Sequence, residues 1–271
     1  MNKRFFTFSL ITIFLINTPI FAETKCFVAK EKTKILEQVG DCAQPHSPCS
    51  TFKIPLALMA YDAGILIDET NPKWDYNVKH EPLLPVLVDI WKQKHDPLLW
   101  MKNSSIPYSM DITTRLGLEK FKTYVDALNY GNKDIIGDKD KNNGLTNAWL
   151  SSSLQISGRE QITFLEKLID NKLPVSDKAH EMTKKILFVE DLPNNWKLFG
   201  KTGSGRLQNK DGSRIEDRPV GWFIGWLEKE NRNIVFAHYI EDDQKFSTPV
   251  GVRAKDSAKD KILKLIDTEK K

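Results

Sequence analysis

Ser50 and Lys53 stand three residues apart and open a stretch, Ile54 to Ala60, that is apolar on every side. On a helix, residues at i and i+3 share a face, so the two side chains can meet. A serine hydroxyl is a weak nucleophile until a neighbour takes its proton. Lysine can take it only when burial lowers its pKa enough to leave the amine neutral. The pair therefore reads as a nucleophile and its base. Ser-x-x-Lys is a common tetrapeptide, and the alternative is a capping serine beside a solvated lysine. An otherwise apolar helix, of the kind buried inside a protein, favours the chemical reading. Ser50 also stands where an N-cap would stand, and Pro55 falls in the early turns, where it removes few helical bonds.

Lys201, Thr202 and Gly203 end a strand-like segment that starts at Trp196 and is followed by Ser204 and Gly205. A cation and a hydroxyl at a strand edge suit a carboxylate, and a glycine lets a ligand approach the backbone closely. His46, His80, His95, His180 and His238 are isolated, without zinc-ligand spacing, which argues against a zinc hydrolase. Asp138 to Asn142 begins like a calcium loop. Asn143 then replaces the required glycine and Trp149 the required bidentate glutamate, so it reads as a polar loop with no metal.

Several elements must position these residues. Cys26 to Lys30 and Lys34 to Val39 look like the arms of a hairpin. Residues from about 62 to 156 are rich in Trp, Pro, Asn and Asp, with short apolar runs, and read as an inserted, mainly helical subdomain. Ser157 to Leu173 has a helical pattern. Val220 to Leu227 and Asn233 to Ile240, joined through Glu230 and Asn231, have the pattern of antiparallel strands. From Arg253 to Lys270, Ala258, Ile262, Leu263, Leu265 and Ile266 lie largely on one side of a helix. Strands at both ends with helices between and after them imply an α+β fold, an antiparallel sheet flanked by helices and carrying the helical insertion.

Lys3 and Arg4 precede an apolar run from Phe5 to Phe21 that ends at Ala22, the pattern of a secretory signal peptide over residues 1–22. Residues 23–271 are then expected to form one exported domain, placed in the periplasm and without a stable membrane anchor. The net charge of +4 falls to +2 once Lys3 and Arg4 are removed, and the remaining charges are interleaved, unlike a nucleic-acid footprint. Cys26, Cys42 and Cys49 allow three disulfide pairings in an oxidising compartment. The hairpin would bring Cys26 and Cys42 together at its open end. Three reduced, buried thiols are the alternative.

The order of Ser50-x-x-Lys53 on an early helix, a serine in the insertion, and Lys201-Thr202-Gly203 on a late strand resembles the penicillin-recognising serine enzymes. Within that superfamily the middle motifs resemble the class D, or oxacillinase-type, β-lactamases. Ser104-Ser105-Ile106 is similar to that family's Ser-x-Val segment, Tyr130-Gly131-Asn132 matches its Tyr-Gly-Asn, and Trp149-Leu150 matches its Trp-Leu. Gly221 to Trp226 resembles the strand that follows Lys-Thr-Gly. The resemblance spans roughly Cys26 to Ile266.

It implies hydrolysis of the β-lactam ring of penicillin-type antibiotics through a Ser50 acyl-enzyme. It implies that Lys53 reacts with CO2, supplied by bicarbonate, to give N6-carboxylysine, which serves as general base for acylation and deacylation. Ile106, Trp149 and Leu150 would support that group. Ser104 would relay a proton to the departing nitrogen, and the amides of Ser50 and Ser204 would form an oxyanion hole. Lys201, Thr202 and Gly203 would bind the substrate carboxylate, with Arg253 as the candidate distal cation. Ile106 departs from the family's valine by one methylene, and Ser204 stands where many relatives carry an aromatic residue. A slowly deacylating penicillin-binding transpeptidase or carboxypeptidase, or a non-hydrolytic β-lactam sensor domain, is the alternative.

Overall fold

The computed structural model describes residues 23–84 and 88–267, so the signal peptide expected at residues 1–22 lies outside the described residues. In chain order the strands are β1 (Glu23–Glu31), β2 (Lys34–Gly40), β3 (Pro45–His46), β4 (Ile156–Ser157), β5 (Phe188–Leu192), β6 (Trp196–Gln208), β7 (Arg214–Lys229) and β8 (Arg232–Glu241). The helices are α1 (Lys53–Asp62), α2 (Pro97–Asn103), α3 (Ile106–Leu116), α4 (Leu118–Ala127), α5 (Gly144–Asn147), α6 (Gly158–Ile169), α7 (Asp177–Ile186) and α8 (Val250–Asp267).

Residues 220–227 of β7 and 234–240 of β8 are all buried. Strands apolar on both faces need cover on both faces. Successive side chains point to opposite sides of a sheet, so Trp222, Ile224 and Trp226 join Val235, Ala237 and Tyr239 in a core shared with α1, α3 and α6. Phe223, Leu227, Ile234, Phe236 and Ile240 face the other way and are covered by Ala254, Ala258, Ile262 and Ile266 of α8. Among the described residues the main sheet runs β2-β1-β8-β7-β6-β5, with antiparallel neighbours throughout. Helices α2 to α5 follow α1 in the chain, before β4 returns it to the sheet region. The fold is the expected α+β arrangement.

Cys26 pairs with Gly40 across the β1–β2 hairpin, and Cys26 is disulfide-bonded to Cys42, leaving Cys49 as a free, buried thiol. Glu230 makes the β7–β8 turn with a left-handed backbone, φ 52°. Strands β6 and β7 run beyond the expected ends at Gly203 and Val220, pairing Gly205 with Val220 and Gln208 with Arg214. The added residues are largely polar and project past the core, so they lack the apolar alternation that marks a strand. Helix α7 and strand β5 were not expected either, since Lys178, Glu181, Lys184 and Lys185 dilute the apolar face formed by Ala179, Met182 and Ile186. Among the described residues no helix is long and apolar enough to cross a membrane.

Candidate active site

Ser50 lies in a one-turn 3-10 helix, Cys49–Phe52, that runs straight into α1. Ser50 lies inside this turn, and its start carries no side-chain capping hydrogen bond, so Ser50 caps nothing, contrary to the capping expectation. Its Oγ accepts a hydrogen bond from Lys53 Nζ at 3.3 Å instead. Cys49, immediately before it, has a left-handed backbone with φ 51°. Ser50 is 8% exposed and Lys53 only 1%, and every residue of α1 from Lys53 to Tyr61 is buried. Burial holds the Lys53 amine well below the ordinary lysine range, and the charge of Lys201 pushes it the same way. Burial thus favours the uncharged form of the amine that faces the serine hydroxyl.

Strand β6 approaches this turn through a glycine. A Cβ on Gly203 would lie 2.9 Å from Pro48 O and 3.2 Å from Thr51 Cγ2, so only glycine lets the strand come this close. Lys201 is buried on the strand, and its Nζ donates to Thr202 O at 3.0 Å and Thr202 Oγ1 at 3.3 Å. Burial lowers its pKa to about 7. Gly200 N–H donates to Leu187 O and Arg206 N–H to Ser151 Oγ, both away from β7. Strand alternation puts the Thr202 and Ser204 N–H groups on that same edge, which β5 leaves open beyond Gly200. Ser204 Oγ accepts from Gly251 N–H of α8 at 3.0 Å.

Trp149 is fully buried after α5 and stacks on Phe52, the neighbour of Lys53, with centroids 5.2 Å apart. Its Nε1–H is buried without a hydrogen-bond partner. Leu150 and Ile106 are buried as well, Ile106 as the first residue of α3. Arg214 clasps the loop after Trp149, donating to Leu150 O at 3.0 Å, Ser151 O at 3.1 Å and Asp138 Oδ1 at 2.8 Å. Ser104 sits half-buried at the α2–α3 junction with a left-handed backbone, φ 54°. Its hydroxyl makes no hydrogen bond among the described residues.

Arg253, the candidate distal cation, already has a partner. Its Nη1 binds the buried Asp242 carboxylate at 2.6 Å, and its guanidinium lies 3.8 Å from the centroid of Phe246. It anchors the connection between β8 and α8 and is not a free cation. Sequence reasoning missed Ser47, whose hydroxyl meets Trp149 and Ser151, and Arg214. Their partners lie 102 to 104 and 63 to 76 positions away, so no local pattern marks them. Among the described residues, no group of three or more His, Cys, Asp or Glu is placed to hold a metal ion.

Residues 24–264 match the penicillin binding protein transpeptidase domain family. The chain is 41% identical to beta-lactamase OXA-9 of Klebsiella pneumoniae over 221 residues, covering 82% of this chain and 80% of that one. It is 38% identical to beta-lactamase OXA-1 of Escherichia coli over 247 residues, covering 89% and 85%. Its fold is similar to the crystal structure of the OXA-427 class D beta-lactamase, with a TM-score of 0.83 and 39% identity, covering 90% of this chain and 98% of that one.

Proposed function

The chain belongs to the class D β-lactamases of the penicillin binding protein transpeptidase family, and we propose that it hydrolyses penicillin-type β-lactams through an acyl-enzyme on Ser50, conferring resistance to them. The observation that carries this reading is the buried Lys53 amine 3.3 Å from Ser50 Oγ. Only an uncharged amine can attack CO2, forming the N–C bond and releasing one proton, and the burial of Lys53 favours that form. The orphaned Trp149 N–H supplies a donor for the carbamate oxygen.

In the acylation step, Ser50 gives its proton to carboxylated Lys53 as Oγ attacks the lactam carbonyl. The developing oxyanion is held by the amides of Ser50 and Ser204. The C–N bond breaks, and Ser104 relays a proton to the nitrogen. In deacylation, a water molecule loses its proton to carboxylated Lys53 and attacks the ester carbonyl, releasing Ser50. Lys201 and Thr202 hold the substrate carboxylate, beside the space that Gly203 leaves. Arg253, committed to Asp242, is given no role in binding. The Cys26–Cys42 disulfide and the leader pattern of residues 1–22 support export to the periplasm.

Steady-state turnover of a chromogenic β-lactam by the wild type and by Ser50→Ala tests the reading. The variant should lose turnover and keep its melting temperature, because one hydroxyl is removed and no core contact. Substantial residual hydrolysis would end the serine mechanism. A wild type that is acylated once and stays acylated would be a sensor or transpeptidase.

A further inference from the structure

Ser47 stands three residues before Ser50 and is 5% exposed. Its hydroxyl donates to Trp149 O at 2.9 Å and accepts from Ser151 N–H at 3.0 Å, so one oxygen bridges both sides of Leu150. Its carbonyl accepts from Trp222 Nε1 at 3.0 Å, which fixes Ser47 itself to the sheet. Ser151 has a left-handed backbone, φ 50°, a conformation that a non-glycine residue keeps only when its surroundings hold it there. Ser47, the Arg206 amide and the Arg214 guanidinium supply that hold. The side chain of Ser47 thus joins the strand-anchored entry to the nucleophile turn with the loop that carries Trp149.

We propose that Ser47 is a positioning residue for deacylation: its hydroxyl sets the spacing between the Ser50 turn and Trp149, and so aims the indole N–H at the base that activates water. This rests on the reading above, in which Trp149 supports Lys53. Without the hydroxyl, Trp149 O and Ser151 N–H lose a partner in a buried place, and the loop must shift or admit water to satisfy them. Water admitted there would solvate Lys53 and return it toward its charged form. The other titratable groups that face Lys53, Cys49 from the 3-10 turn and Lys201 from β6, keep their identity in this substitution.

The test compares the full-length protein with Ser47→Ala, Ser47→Thr and Ile262→Val. The last perturbs the α8 core, away from the site. The readouts are melting temperature, kcat and KM for a chromogenic β-lactam across pH, with and without bicarbonate, and acyl-enzyme by intact-protein mass spectrometry. In Ser47→Ala, kcat should fall about tenfold or more and kcat/KM by less, since deacylation is what slows. Acyl-enzyme should accumulate, and the acid limb of kcat should move toward neutral pH. Ser47→Thr, which keeps the hydroxyl, should recover most of the loss. Ile262→Val should lower the melting temperature without these kinetic changes. Ser47→Ala with wild-type kcat and no trapped acyl-enzyme would overturn the proposal. So would the same kinetic pattern in Ile262→Val. A wild type that never turns over defeats the functional reading and this inference with it. A wild type that turns over but ignores bicarbonate defeats only the carbamate, and trapped acyl-enzyme in Ser47→Ala then still supports the role of Ser47.

Discussion

Trp149→Phe separates the hydrogen bond proposed for Trp149 from its packing. The phenyl ring can keep the stack on Phe52, now at 5.2 Å, while the one donor of the indole disappears. A hydrogen bond to a charged acceptor is worth about 1.5–3 kcal/mol, or about 10- to 150-fold in the population of the carboxylated form. Trp149→Ala would add the loss of a fully buried indole, about 3–5 kcal/mol. At about 2–4 °C per kcal/mol that is about 6–20 °C in Tm, enough to confuse instability with chemistry. The phenylalanine variant avoids most of this. Initial rates at acidic and at neutral pH, with and without bicarbonate, are the assay, with acyl-enzyme followed by mass spectrometry. Acid protonates the amine in competition with CO2, so the wild type should lose activity at low pH and regain it with bicarbonate. Trp149→Phe should need bicarbonate already at neutral pH and should accumulate acyl-enzyme. If both proteins ignore bicarbonate and the variant deacylates normally, the carbamate is wrong.

Lys53→Met should abolish turnover and, in bicarbonate-free buffer, stabilise the fold, because it removes a buried amine whose hydrogen-bond partner is the single hydroxyl of Ser50. The unfolded chain keeps that lysine protonated up to about pH 10 while the folded chain does not, so melting curves should show the gain at neutral pH and its loss as pH rises toward that value. Lys201, with a pKa of about 7, must be charged to hold an anionic substrate, so kcat/KM should decline above about that pH. A profile that stays level well past neutrality would remove Lys201 from binding. Cys42→Ser opens a disulfide spanning 16 residues and should cost about 3 kcal/mol, or about 6–12 °C in Tm. Its kcat should stay at the wild-type value, since the β1–β2 hairpin and β6 are separated by β8 and β7. Calorimetry and steady-state kinetics check both halves.

Ser50 and Lys53 were legible because their meeting is a one-turn event: three residues of helix bring the two side chains together, and the apolar residues that bury the amine follow at once. The β1–β2 and β7–β8 hairpins were legible because strand alternation and a short turn are local. The pairing of Arg253 was not legible because its partner, Asp242, lies 11 positions back across a loop, and burial of that carboxylate is invisible in a list of charges. Helix α7 failed because a half-buried helix rich in lysine carries a diluted apolar stripe.

Periodicity and motif order were therefore enough to pick out the Ser50–Lys53 pair, the strand that approaches it and the family. Only the folded chain decides which way the Ser204 amide points, since that follows from the register of β6 against β7 and the edge that β5 leaves open. Only the folded chain seats Trp149 beside Phe52, held by Ser47 from 102 positions away and by Arg214 from the β6–β7 hairpin. The physical reason is one of range. A helix turn or a strand pair is specified by residues a few positions apart, whereas an orphaned indole N–H, a strained Ser151 and a shared serine hydroxyl exist only once distant segments compete for the same buried space.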